Sequence, residues 1–321
     1  MTQPNPKNLV WHYTTLETLE KILSTQTLLA TEANFQNDPN EVSYAQSMIT
    51  AALERARGRH KGAGNFLVDL AKHLNDPPYS SVNLDRLLDG SRFLLCGSAD
   101  GDSMYCWRTY GAIGDVSCAV GLDPAVPLGI KESTSRQKTS WQSVSYSTKE
   151  LQNQVDSLID QIIEEYQESG VGDEAPNHGV LITGYSSIQT LILSAAKSPS
   201  YADEREFRIT VTDPPRTAIR FGAGKAGPRP RVGLTTLAPS PGGPTEDENA
   251  LPIREIRLGP TAPLGAEQSL RWILAAYGYS LDGVQEFEMY EDERGNTVRN
   301  ARLNQSRRVR VSLSEHAFRD V

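Results

Sequence analysis

Cysteine and histidine are scarce in this chain: among 321 residues there are three of the first and five of the second. Cys96, Cys106 and Cys118 are odd in number and clustered, with no CxxC pair and no neighbouring histidine pair. That pattern argues against a disulfide framework and against a zinc site, so the thiols read as reduced groups in or near a core. No metal is expected. Long apolar runs are also missing, since none approaches the ~18–20 residues that a membrane span needs. The first residues lack the charged-then-apolar order of a signal peptide, and a cytoplasmic protein without a membrane partner is expected. Positive charge is not in excess. The net charge of −8 argues against wholesale electrostatic binding of nucleic acid and leaves room only for a local basic patch. No GxxxxGK[ST], GxSxG or HExxH occurs, and no GxGxxG stands after an expected strand. The commonest NTPase, dinucleotide-fold, hydrolase and metalloprotease readings are thereby set aside.

What is present is the composition of a globular protein, 38% apolar and 22% charged, long enough to bury a sizeable core. A strand is expected over 9–13. Thr14 or Thr15 then caps a helix carrying Leu16, Leu19, Ile22 and Leu23 at helical spacing. Asn37-Asp38-Pro39 is turn chemistry at the start of a long helix over 41–57, and a second helix follows over 65–74. Further strands are expected over 92–97, 117–122 and 251–258, and from Glu204 onward. Further helices are expected over 104–110, 153–168, 180–196 and 267–277. Residues 213–250, rich in Pro and Gly, read as an irregular insertion in which 229–234 forms an edge strand. Residues 280–321 read as a tail whose hairpin pairs 284–290 with 307–313. Strands and helices mix without regular βαβ alternation, so the class is α+β, organised as a single domain.

The residues that can carry chemistry each have a bland reading beside the functional one. His12 offers a hydrogen-bond partner to a ribose hydroxyl, and is equally a half-buried histidine at a strand–helix junction. Asn37, Asp38 and Glu41 are candidates for a cleft rim, yet a turn followed by a helix cap accounts for them as well. Trp107, Arg108 and Tyr110 lie between two strands, where an aromatic face can stack on a cationic nicotinamide ring or simply fill a core. On a strand beginning at Glu204, side chains alternate, so Glu204, Glu206 and Arg208 share one face and Phe207, Ile209 and Val211 the other. A carboxylate there can stabilise an oxocarbenium-like transition state; a half-exposed face of Glu–Arg pairs is the alternative. Arg294, Arg299, Arg302, Arg307, Arg308 and Arg310 suit phosphate contacts or a solvated hairpin face.

Trp11-His12-Tyr13-Thr14, Asn37-Asp38-Pro39-x-Glu41, Trp107-x-x-Tyr110 and Glu204-x-Glu206-Phe207-Arg208-Ile209 occur in this order. Together they resemble a bacterial and phage family long catalogued as a domain of unknown function. Ile253-x-Glu255-Ile256-x-Leu258-Gly259 is similar to a later strand of that family, and the resemblance covers residues 9–260. The family in turn resembles the ADP-ribosyltransferase superfamily, in its His–Tyr–Glu class and its DNA-modifying toxins.

That resemblance implies a split β-sheet with surrounding helices and a cleft that holds NAD as substrate. It implies that His12 contacts a ribose hydroxyl, that Tyr13 and Thr14 flank the nicotinamide amide, and that Tyr110, with Trp107 beside it, is the stacking aromatic. Glu206 becomes the catalytic carboxylate and Glu204 the neighbour that orients an acceptor. No second-strand tyrosine matches the family pattern, and Tyr110 takes that role only through the expected helix. The implied activity is an NAD-dependent ADP-ribosyltransferase, a toxin or anti-phage effector acting on nucleic acid or protein and partnered by an antitoxin. The alternatives are an NAD glycohydrolase using the same cleft and an inactive nucleotide-sensing or protein-interaction module.

Overall fold

Thr15 ends one element and begins the next. Its hydroxyl accepts from the Thr18 backbone N–H and caps the first helix. The computed structural model describes residues 9–36, 40–75, 91–111, 115–131, 139–169, 178–195, 197–224, 227–237, 250–282, 287–291, 297–301 and 307–316. In chain order the elements are Val10–Thr15 (β1), Leu16–Thr25 (α1), Leu28–Glu32 (β2), Asn40–Arg59 (α2), Gly64–Asn75 (α3) and Arg92–Ser98 (β3). Met104–Tyr110 (α4), Ser117–Leu122 (β4), Leu128–Ile130 (β5), Gln142–Ser143 (β6), Thr148–Glu168 (α5) and His178–Ala195 (α6) follow. The remainder comprises Glu206–Thr212 (β7), Ile219–Gly222 (β8), Arg229–Thr236 (β9), Ile253–Leu258 (β10), Ala266–Ala276 (α7) and Ser280–Leu281 (β11). Phe287–Glu291 (β12), Thr297–Ala301 (β13) and Arg308–Leu313 (β14) complete it. Pairing is mostly antiparallel and the class is α+β.

The chain divides into two compact units. The first is built from Met1–Leu28, Gly97–Ser140 and Leu234–Val321, the second from Leu29–Cys96 and Trp141–Gly233. In the first unit β4 is buried along its whole length, as its run Cys118-Ala119-Val120 suits. β1 pairs antiparallel on one side of it, with His12 opposite Val120 and Tyr13 opposite Ala119. β10 pairs antiparallel on the other side, with Ile256 opposite Val120. β14 then adds parallel to β10, and β11 parallel to β14. The tail is therefore not the expected hairpin: 308–313 joins this sheet, while Phe287–Glu291 pairs with Thr297–Ala301. β10 offers β14 a sheet edge to extend, and Ile256 lies opposite Val311 across that pairing.

In the second unit α2, α3, α5 and α6 bury one apolar cluster. Leu53, Phe66, Leu70, Val155, Ile159, Ile163 and Ile188 lie at its centre. Phe66 and Tyr166 stack with centroids 4.2 Å apart, and Arg55 and Arg59 of α2 pair with Asp156 and Asp160 of α5 at the rim. β7 lies between β3 and β6. Its register sets Phe207 opposite Ser143 and Arg208 opposite Gln142. β8 and β9 form an antiparallel hairpin, with Ile219 opposite Val232, inside the region read as irregular; β9 covers the strand expected over 229–234, but it lies within the sheet rather than at its edge, since β5 and β2 also adjoin it. That hairpin contains Gly222-Ala223-Gly224-Lys225-Ala226-Gly227, a GxGxxG that does follow a strand. It leads into another strand rather than a helix, so no helix N-terminus is offered to a pyrophosphate.

Candidate functional site

The first unit holds the N-terminal motif. Asp100-Gly101-Asp102 turns the chain from β3 into α4, and the Asp102 N–H donates to the Asp100 side chain at 2.9 Å. Ser103 caps α4 by accepting from the Cys106 N–H. Gly101 is required at that turn because a Cβ there would lie 2.2 Å from the Trp11 ring. The Tyr13 hydroxyl donates to the Asp100 carbonyl at 2.7 Å and accepts from the Ser103 N–H at 2.9 Å. Its ring meets Trp107 edge-on, centroids 4.7 Å apart, and burial pushes the phenol well above its ordinary range. Trp107 is buried with Leu9, Trp11 and Ala119, and its Nε1–H donates to Asp102 Oδ1 at 2.8 Å. Trp107 is thus a core residue. Thr14 is buried, His12 and Tyr110 are half-buried, and Arg108 is exposed.

Asp102 is the polar centre of this corner, and the sequence reading passed over it. Besides Trp107, its carboxylate accepts from the Ser314 hydroxyl and the Glu315 N–H. Arg257 lies 3.9 Å away, with its guanidinium over the Trp11 ring. Burial alone would raise the Asp102 pKa; the three donors and Arg257 outweigh it and hold the carboxyl below the ordinary range. Ser314 and Glu315 lie more than two hundred residues away in the chain, so no local signal pointed to them.

The second unit holds the acidic motif, arranged differently from the expected strand face. Pro199–Glu204 is a 3-10 turn, and Arg205 adopts a left-handed φ of 44°. β7 therefore starts at Glu206, and Glu204 leaves the alternation of the strand. It still returns to Glu206 through Lys197, whose Nζ lies 2.5 Å from Glu204 Oε2 and 2.6 Å from Glu206 Oε2. Arg208 donates from Nε to Glu206 Oε1 at 2.7 Å and from Nη2 to Oε2 at 3.0 Å. The Glu206 N–H donates to the Tyr146 hydroxyl at 2.8 Å, and the Cys96 thiol also hydrogen-bonds to the Glu206 side chain. All four charged side chains are 2–5% exposed. Stripping water from such ions costs several kcal/mol each unless partners replace it. Here two cations balance two anions.

Electrostatically Glu206 keeps its charge. Burial by itself would push the Glu206 carboxyl up; Arg208, Lys197 and the hydrogen bonds reverse that and hold it at about 2. Tyr146 moves the other way, to about 12, chiefly through burial. The sequence reading missed Lys197 and Tyr146. Lys197 had a signal, being a lone lysine between an apolar helix and a proline, two positions further on.

His12, Tyr13, Thr14, Trp107, Arg108 and Tyr110 thus belong to the first unit, and Glu204, Glu206 and Arg208 to the second. Asn37 and Asp38 lie outside the described residues, and Glu41 stands in the first turn of α2. A separate open groove of about 730 Å3 lies between α5 and α6 of the second unit. Its Ser186 and Thr190 hydroxyls accept from the buried Arg92, and it contains none of the expected site residues. Among the described residues no group of three or more His, Cys, Asp or Glu side chains is placed to hold a metal ion, and no helix is long and apolar enough to cross a membrane. Comparison with protein-family models, with curated proteins and with solved structures gives no match.

Proposed function

We propose that the chain is an NAD-dependent ADP-ribosyltransferase with a split sheet of that superfamily, acting as a toxin or anti-phage effector on nucleic acid or protein. The observation that supports this reading is Glu206, a buried carboxylate opening a late strand and held ionised by its neighbours. In the proposed reaction the bond from ribose C1′ to nicotinamide breaks and its electron pair leaves with the nicotinamide. The ribosyl cation left behind is stabilised by a fixed negative charge, and an acceptor nucleophile closes on C1′ while losing its proton. A carboxylate serves that role only when ionised, and Arg208 and Lys197 keep Glu206 so at neutral pH. His12 and Tyr110 are proposed as NAD contacts on the strength of the motif resemblance.

One observation favours the glycohydrolase reading. Glu204, the residue expected to orient an acceptor, sits in a 3-10 turn, 4% exposed and fastened to Lys197. Water needs no such orienting group. The test is incubation with NAD labelled in its adenylate, in the presence of cell extract, DNA and RNA, comparing the parent protein with Glu206→Gln. Label on a macromolecule, lost in the variant, is the expected result. Free ADP-ribose supports the hydrolase. Intact NAD under every condition removes both and leaves the inactive module.

A further inference from the structure

We infer that Lys197 is a positioning residue of this proposed site: its ammonium bridges Glu204 and Glu206 and fixes two carboxylates side by side on one buried cation. The inference rests on the reading of Glu206 given above and on geometry that is independent of NAD. The contacts of 2.5 Å and 2.6 Å go to the facing Oε2 atoms of the two glutamates. The chain is folded to make them. α6 ends at Ala195, the Lys197 N–H reaches the Ser145 carbonyl, and Pro199 opens the 3-10 turn. The left-handed Arg205 then swings the chain back, so that Glu204 and Glu206 return to a lysine only seven and nine residues earlier. The ammonium also lies 5.2 Å from the Tyr201 ring centroid, inside the same turn. A lysine is strongly hydrated and flexible; one that is 4% exposed and held at three points has a defined place.

Without this cation, two carboxylates confront each other in a buried space with Arg208 left to offset them, and protonation of the pair becomes easier. Other groups that face the pair include Arg208 on β7, the Cys96 thiol from β3 and the Tyr146 hydroxyl, and the Tyr201 ring faces the lysine. Arg208 grips Glu206 from the strand side, and the lysine joins the strand to the 3-10 turn. Lys197 therefore acts through Glu206 and Glu204 rather than on the reacting atoms.

The test uses the full chain as Lys197→Met, Lys197→Arg and the double variant Lys197→Met/Glu204→Gln. Glutamate carboxyl titration is followed by carbon NMR, alongside the pH profile of NAD consumption. Lys197→Met should raise the midpoint of the glutamate pair by roughly one to three pH units. Turnover at neutral pH should fall by about a hundredfold, as misplacement of a reacting group does. Lys197→Arg should keep the midpoint near that of the parent, because a guanidinium also bridges two carboxylates. The double variant should return it toward the parent, since the like-charged neighbour is gone. An unmoved midpoint in folded Lys197→Met, or a double variant that titrates like the single one, overturns the inference. If Lys197→Met does not fold, Lys197→Gln takes its place with the same expected rise in the midpoint, and an unmoved midpoint there overturns the inference. Should the parent protein leave NAD intact, the enzymatic reading falls, and the titration still shows whether the lysine places the carboxylates.

Discussion

The two units solve the same problem, holding a carboxylate in place near a buried corner, by opposite means. In the first, Asp102 is held by mainly neutral donors: an indole N–H, a hydroxyl and a backbone N–H, with Arg257 at 3.9 Å. In the second, Glu206 is held by two full cations at 2.6–3.0 Å, and nearly all solvent is gone. A neutral network loses one hydrogen bond when a member is removed. A charge network loses its balance. A buried ion pair is often no more stable than an apolar replacement of the same shape. The second solution fits a place where a charge has to be kept.

The largest test of that contrast is Arg208→Ala. It leaves the Glu206 carboxylate buried without its guanidinium, held by Lys197 and the Cys96 thiol, and should lower the free energy of unfolding by roughly 3–5 kcal/mol. Urea denaturation followed by circular dichroism measures it. A loss below about 1 kcal/mol would mean that the cluster is solvated in practice, and the distinction between the two corners would disappear.

Legibility in the sequence divides along the same line. Helix α4 could be read because its cap and its turn are local: Ser103, Asp100-Gly101-Asp102 and the aromatic spacing lie within a dozen residues. The cap at Thr15 and the apolar spacing of Leu19, Ile22 and Leu23 were equally local. The apolar alternation of Ile209 and Val211 placed β7, and Glu206 and Arg208 fell on one face as alternation requires. What escaped was conformational or distant. Nothing in the identity of Arg205 announces a left-handed φ, so the strand appeared to begin two residues early. β8 looked irregular because its faces stay largely open, with Phe221 70% exposed, and so carries little apolar pattern. β14 found its partner in β10, more than fifty residues away, where hairpin rules do not reach. The likeness to an ADP-ribosyltransferase sheet belongs with the proposal, resting on short motifs and on Glu206.

The next effect is one of pH. Glu206 has its carboxyl held at about 2, against an ordinary value of 4.5. Its folded-state value is depressed, so the stabilisation is fully present above about pH 4.5 and is lost as the pH falls toward 2. The integrated amount is on the order of 3 kcal/mol. Unfolding free energies of the parent and of Glu206→Gln at several pH values across that window should therefore converge as acid is added. Curves that stay parallel would show that the carboxylate gains nothing from its cations, which would remove the electrostatic half of the comparison.

The smallest effect probes the neutral corner. Trp107→Phe keeps an aromatic ring against Tyr13 but deletes the Nε1–H that donates to Asp102. Asp102 retains the Ser314 hydroxyl, the Glu315 N–H and the nearby Arg257, so the carboxylate is left neither bare nor unbalanced. A single hydrogen bond to a charged group contributes about 1.5–3 kcal/mol, and its loss is softened where other donors remain. The expected cost is about 1–2 kcal/mol by chemical denaturation, well under that of Arg208→Ala. If the two substitutions cost the same, the first unit also depends on a balance of charge, with Arg257 and Asp102 as its essential pair, and the neutral description of that corner gives way.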